Sequence, residues 1–369
     1  MIKIFYGPTI EFENTISKVV DKTNLTKLLS DLEEKKRKVI ISSENNSLDT
    51  DEKISIRNLV ISTEEYSRLS ESGINGFLTL LNEVNIDNMY FQNPPEIILE
   101  QLNKNYKNKI EEIRYKYKNI EEQHVKKFYD EFSKKIFGQD KCKLKLINNL
   151  YKISQGYNKG KPLVILLYGP SGVGKTETAK FLSDILDEKL LRKQFSMYQN
   201  NYFSDYVFGS NHSSLSLARD LLDRESNIIL FDEFDKSNTI FHSAFYQMFD
   251  EGIFVDKNYR VDLKDSIILC TSNFLNLSDI KKSLGTPMFS RFDSFIEYKE
   301  LSEEISKKII EMKFDNLYQD LTEEDKKIIH KKEDLPKLIQ KSKYLKNARE
   351  IDRVINEFIF SRIVNNKFK

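Results

Sequence analysis

Eight residues constrain this chain more than any other stretch: Gly169-Pro170-Ser171-Gly172-Val173-Gly174-Lys175-Thr176. They fit GxxxxGK[ST], follow the apolar run Leu163 to Tyr168, and precede a helical pattern from Glu177 to Leu186. That strand-to-helix context demands a parallel α/β layer. The glycines permit a backbone wrap whose N–H groups face phosphates, and the helix that begins there adds the positive end of its dipole. Lys175 is positioned to neutralise the β and γ phosphates, and the Thr176 hydroxyl to coordinate Mg²⁺.

The second half of such a site lies downstream, where the apolar run Ile228 to Phe231 ends in Asp232-Glu233. Adjacent carboxylates at the end of a buried strand need a reason, because burying unpaired charge is costly. Asp232 suits a Mg²⁺ shell, and Glu233 can orient or deprotonate a water attacking the γ phosphate. Asp235, followed by Lys236, reads as a helix cap or a surface ion pair.

Around this nucleus the chain divides by pattern. Residues 1–95 alternate short strands (Ile2 to Tyr6, Lys38 to Ser42, Ile56 to Ser62) with a helix near Phe12 to Glu34, and close at Asn93-Pro94-Pro95. This predicts a small α/β domain. In residues 96–135 apolar positions from Leu99 to Phe132 recur mostly at spacings of three and four, which predicts one long connecting helix, packed or partner-binding. Residues 136–300 show βα alternation with apolar strands at Leu163 to Tyr168, Ile228 to Phe231 and Ser266 to Thr271, and residues 301–369 are helical. No internal repeat or low-complexity linker stands out.

Composition excludes more than it assigns. With 39% hydrophobic residues, 369 residues can fill two cores. The 58 Lys and Arg against 57 Asp and Glu leave a net charge of +1, which argues against a chain-wide polyanion-binding surface. Two cysteines, Cys142 and Cys270, support neither a disulfide framework nor a four-ligand zinc site and read as core packing. Apolar runs are too short for a signal peptide or membrane span, so a cytoplasmic, soluble protein is expected.

Several further segments, in order, resemble the AAA+ ATPases of the Clp type, closest to the second ATPase module of the Clp disaggregases. The resemblance spans Ile136 to the carboxyl terminus. Ile136-Phe137-Gly138-Gln139-Asp140 resembles the box that packs against adenine, Leu166 to Glu177 the phosphate loop, and Phe195-Ser196-Met197-Tyr198 the second strand. Ile228 to Lys236 resembles Walker B, Phe249 to Asp262 the hairpin after it, and Cys270-Thr271-Ser272-Asn273 the sensor 1 strand. The resemblance implies a P-loop module with a helical lid that binds and hydrolyses ATP with Mg²⁺. On it, Asn273 senses the γ phosphate. Arg291, within Pro287 to Asp293, is the finger reaching a neighbouring subunit's phosphate. Arg349, within Lys346 to Glu350, contacts phosphates in its own subunit.

One segment departs from that family. Where Clp unfoldases carry an aromatic pore loop, Phe208-Gly209-Ser210-Asn211-His212-Ser213-Ser214-Leu215 is shorter and polar after Phe208; Tyr206 and Phe208 read as core. The resemblance thus implies a ring, hexameric in the family, that remodels a protein partner chosen by the amino-terminal domain. A slow, nucleotide-gated scaffold or sensor is the alternative. A nucleic-acid motor or loader is a third, weakened by the balanced charge.

Overall fold

The computed structural model describes residues 1–44, 53–107, 109–197, 202–237 and 239–368. Two compact units emerge: residues 1–118 with 199–227 and 251–264, and residues 119–198 with 228–250 and 265–369.

The first unit is built on five strands, β1 (Ile2–Tyr6), β2 (Lys22–Asn24), β3 (Ile54–Ile61), β4 (Val84–Gln92) and β5 (Ile110–Arg114), in the order β2-β3-β4-β1-β5. Every pairing is parallel, so both faces must be covered. One face packs Leu25, Leu28, Tyr66, Phe77 and Leu102 against strand residues such as Ile4 and Phe91. The other is closed by Phe12 and Ile16 over Phe5 and Val60.

Three expectations fail here. The helix expected near Phe12 to Glu34 is two, Thr9–Thr15 and Leu25–Glu44, with β2 between them. Lys38 to Ser42 is not a strand, because the backbone stays helical through Leu25–Glu44. A short apolar run cannot be told from a helix segment by periodicity alone. Nor is 96–135 one helix: Glu96–Tyr106 and Glu122–Lys135 are separate, with β5 between them. Ile110 and Ile113, three apart, share a helical face but point to opposite faces of a strand. Ile110 packs on the larger core and Ile113 on the smaller one, so one spacing served two covered faces.

The second unit carries β6 (Leu163–Tyr168), β7 (Leu191–Gln194), β8 (Ile228–Asp232), β11 (Ile267–Ser272) and β12 (Ser294–Glu297), in the order β12-β6-β11-β8-β7. These pairings too are all parallel. The intervening hairpin, β9 (Ile253–Val255) and β10 (Arg260–Asp262), belongs to the first unit. β6, β8 and β11 are buried along their whole length, as a doubly covered sheet requires. The expected second strand at Phe195 to Tyr198 lies earlier, at β7. Phe195–Met197 instead form a 3-10 turn, and Tyr198 falls outside the described residues. Helix Glu122–Lys135 joins this core through Phe128, stacked on Phe181 at 5.5 Å. Helices Glu303–Asp320, Glu323–Ile328, Lys331–Ile339 and Ala348–Lys367 form a lid with its own core around Ile310, Phe314, Leu338 and Ile355.

Candidate nucleotide site

The site forms at the carboxyl ends of the second unit's strands, where β6 is flanked by β11 and β12 and the connections diverge. In open α/β sheets that crevice is where ligands bind. A cavity of about 600 Å³ opens there, lined among others by Ile136, Phe137, Thr176, Glu177 and Met312.

The loop's glycines are required by geometry. Gly169 has φ +131°, and a Cβ there would lie 2.1 Å from the Tyr298 carbonyl oxygen. At Gly172 (φ +75°) and Gly174 (φ +108°) a Cβ would lie 2.9 Å from Asn347 Oδ1 and 3.0 Å from Ile136 Cγ2. From Gly174 the chain enters helix Lys175–Leu186, whose first N–H groups have no intrahelical partners.

Lys175 is 6% exposed, and its ammonium donates to the Gly169 and Pro170 carbonyls at 2.6 and 2.7 Å and to Asn273 Oδ1 at 3.1 Å. Burial pulls its pKa down to about 8, against the opposing pull of Asp232 and Asp235. The Asn273 amide donates onward to Glu233 Oε1 at 3.4 Å, so lysine, asparagine and glutamate form one chain of contacts. Glu233 holds a left-handed conformation, φ +55°. A non-glycine residue is rarely kept there unless its surroundings enforce it. They do: the Glu233 N–H donates to Thr271 Oγ1 at 2.9 Å, and the Thr271 hydroxyl donates to Asp232 Oδ1 at 2.5 Å.

Sequence reasoning gives no role of their own to three further side chains. Thr271 was noted only as part of a strand, yet it ties both acids. Arg192 donates twice to Asp232 Oδ2, from Nε at 3.0 Å and from Nη2 at 2.5 Å. Gln139 donates to the Lys299 and Val173 carbonyls at 2.8 and 3.4 Å. Arg192 stands on β7 opposite Leu230 of β8, a pairing visible only once the strands are in register.

Behind the acids Phe234 sits among Phe195, Phe231, Phe245 and Phe249, with ring centroids 5.2 to 6.3 Å away. Asp235, read from sequence as a helix cap or a surface ion pair, is neither cap nor surface: it is buried inside the turn Phe234–Lys236, and burial raises its carboxyl pKa while Lys236, 3.7 Å away, lowers it. Both cysteines are buried and free, and burial pushes the Cys142 thiol up to about 12.

The lid closes over the loop at two points. Arg349 Nη1 donates to Ser171 Oγ at 3.0 Å, and the Ala348 N–H donates to the Gly172 carbonyl at 3.0 Å. Asn347 caps that helix by accepting from the Glu350 N–H at 2.9 Å. Arg291 is not brought to this cavity. It pairs with Asp250 at 2.9 Å, lies 4.0 Å over the Tyr246 ring, and lines a separate cavity of about 370 Å³. Just before the shortened polar segment, Tyr206 is buried as expected and its hydroxyl donates to Asp220 at 2.5 Å; Phe208, expected in the core, is instead 38% exposed.

Residues 161–324 match the family model described as AAA domain (Cdc48 subfamily). Similar curated proteins include the ATP-dependent Clp protease ATP-binding subunit ClpL of Staphylococcus aureus strains bovine RF122 / ET3-1, USA300 and NCTC 8325 / PS 47. Each is 27% identical over 325 residues, covering 82% of this chain and 43% of the relative. The chain therefore spans less than half the length of these relatives. Among the described residues no helix is long and apolar enough to cross a membrane. A parallel sheet delivering a glycine loop and paired acids to one crevice, under a lid that reaches back to that loop, agrees with these likenesses: residues 161–324 are similar to an AAA domain, and the crevice carries the phosphate loop of a nucleotide site.

Proposed function

We propose that this module hydrolyses ATP and that the chain works as a cytoplasmic, ring-forming AAA+ protein that remodels a protein partner. The observation that carries the reading is the contact chain Lys175–Asn273–Glu233 above the glycine loop. It joins a phosphate-binding cation, a polar sensor and a water-orienting carboxylate in one line.

The donor set fits a nucleotide triphosphate. Backbone N–H groups from Gly169 to Thr176 cradle its phosphates, with Pro170 contributing none, and Ile136 and Phe137 pack against the base. Lys175 turns from its loop carbonyls to the phosphates. Among the described residues no cluster of three or more His, Cys, Asp or Glu could hold a metal by itself. That suits Mg²⁺, which is usually held by one or two protein oxygens together with phosphates and water. Thr176 and Asp232 would hold it, and it would neutralise charge developing on the β and γ oxygens. Asp232 is paired with a guanidinium, so Arg192 must yield that carboxylate. Glu233 orients the attacking water, Asn273 positions it, and Arg349 donates to the phosphates from the lid. Arg291, outside the cavity of its own chain, acts on the nucleotide of a neighbouring copy, where such an arginine is worth roughly 10³ to 10⁵ in rate.

Turnover measured on Glu233→Gln tests the assignment: wild-type hydrolysis in that variant would refute it. Arg291→Ala should lose turnover while keeping nucleotide affinity. The relatives' printed names attach them to a Clp protease as ATP-binding subunits; for this chain the first unit is the proposed partner-binding region. A second reading, a slow ATPase that gates a scaffold, draws on the Arg192–Asp232 pair and on the polar segment after Phe208.

A further inference from the structure

The two five-stranded sheets share one topology. Numbered within each sheet, the strands lie in the order 2-3-4-1-5, as β2-β3-β4-β1-β5 and as β7-β8-β11-β6-β12. The agreement extends to single residues. β1 ends in Tyr6-Gly7-Pro8 and β6 in Tyr168-Gly169-Pro170. Each strand's last carbonyl accepts from the N–H of a tyrosine just past the fifth strand: Tyr6 from Tyr115 at 2.8 Å, Tyr168 from Tyr298 at 2.7 Å. Gly7 and Gly169 both have positive φ, +152° and +131°. A Cβ on Gly7 would lie 2.5 Å from Tyr115, and one on Gly169 2.1 Å from Tyr298.

Register carries the match across the sheet. Phe5 pairs with Gln92 as Leu167 pairs with Thr271, which places Gln92 at the position of Thr271. Ile61 pairs with Phe91 as Phe231 pairs with Cys270, which places Ser62-Thr63 at the positions of Asp232-Glu233. One bond repeats on these positions: the Thr63 N–H donates to Gln92 Oε1 at 3.1 Å, as the Glu233 N–H donates to Thr271 Oγ1 at 2.9 Å.

The chemistry at the corner does not repeat. After Pro8 the chain enters helix Thr9–Thr15 at once, omitting the loop residues that carry Lys175 and Thr176 in the other unit. Hydroxyls of Ser62 and Thr63 replace the two carboxylates. The Gly7 N–H donates to Asn93 Oδ1 at 3.0 Å. Asn93 Nδ2 returns to the Gly7 carbonyl at 2.9 Å and to Thr63 Oγ1 at 3.0 Å. Gln92 Nε2 donates to the same carbonyl at 3.0 Å and to Thr9 Oγ1 at 3.1 Å. Gln92 and Asn93 are 0% and 1% exposed, so their amides fill the corner and satisfy its buried polar groups.

We propose that the first unit is a second copy of the nucleotide-binding sheet whose phosphate corner is closed by its own side chains, leaving the chain one nucleotide, at Lys175. The single site rests on the ATPase reading above; the closed corner does not. Nucleotide stoichiometry on the full chain tests it, using native mass spectrometry with ATPγS and Mg²⁺, then photolabelling with 8-azido-ATP and peptide mapping. One nucleotide per chain, lost in Lys175→Ala, with label only in residues 119–198, 228–250 or 265–369, is expected. Two nucleotides per chain, or label within residues 1–118, would overturn the closed corner. A wild-type chain that binds none would sink the Lys175 assignment and the stoichiometry of one. Should Lys175→Ala melt below the wild type, the label map of the wild-type chain decides alone.

Discussion

Gly7 and Gly169 stand at the same turn of two sheets with the same strand order, but the groups they meet are opposite in kind. At Gly169 the loop runs on through Gly174 and brings a buried ammonium beside two acids. At Gly7 the helix starts within two residues, and two buried amides knit the corner shut. The comparison separates what a fold supplies from what a site requires. Parallel pairing and the tyrosine clasp behind the turn are present in both units. Phosphate chemistry needs in addition a loop of the right length, a lysine at its end, and carboxylates on the third strand.

The sharpest break between the two corners is at the third strand. Glu233→Gln should lower steady-state ATP turnover by about 10² to 10⁴ while nucleotide affinity persists; Thr63→Val, at the matching position, should leave turnover unchanged. Next come the turns themselves. Gly7→Ala and Gly169→Ala each force a Cβ into a neighbouring tyrosine at positive φ, costing on the order of 1–3 kcal/mol in denaturant unfolding. Only Gly169→Ala should also abolish nucleotide binding, and equal loss from both would erase the distinction. Asn93→Ala leaves the buried Gly7 N–H without its acceptor, a cost of about 1–3 kcal/mol, with no change in nucleotide affinity.

The smallest effect expected is one of pH. Because burial lowers the Lys175 pKa to about 8 and phosphates favour its charged form, affinity should be complete below that pH. As pH rises through 8 the free protein loses the proton, and affinity should fall by up to about tenfold per unit. Titrations of a fluorescent ATP analogue between pH 6.5 and 9.5 would show it, and a flat profile would place the lysine's proton elsewhere.

What could be read beforehand follows the range of the forces involved. The phosphate loop, the Asp232-Glu233 pair, Asn273 and Arg349 are local patterns or fixed-order segments, and the structure gathers them around one cavity. Arg192 and Thr271 escaped notice because their partners lie on other strands, and only register reveals a cross-strand pair. Strand β5 escaped because Ile110 and Ile113 serve two faces, and β2 because three residues carry no period at all. The likeness of the two sheets stayed hidden because it resides mostly in strand order and main-chain bonds; the shared Tyr-Gly-Pro and the tyrosine past the fifth strand are too few to stand out, and other matched residues differ: Ser62 for Asp232, Gln92 for Thr271.

The bond from the Ala348 N–H to the Gly172 carbonyl has a consequence of its own. A clasp made by main chain is indifferent to which side chain stands at 348, so substitutions there can drift without loosening the lid, and exchange of Arg349 leaves that half of the grip intact. Proline is the exception. Position 348 opens its helix, where proline is tolerated, and Asn347 before it already holds φ −145° and ψ 156°, the extended conformation a following proline favours. Ala348→Pro thus removes the donor without breaking the helix, and sets its ring Cδ against the Gly172 carbonyl oxygen, so a single residue would turn the lid's main-chain clasp into a repulsive contact.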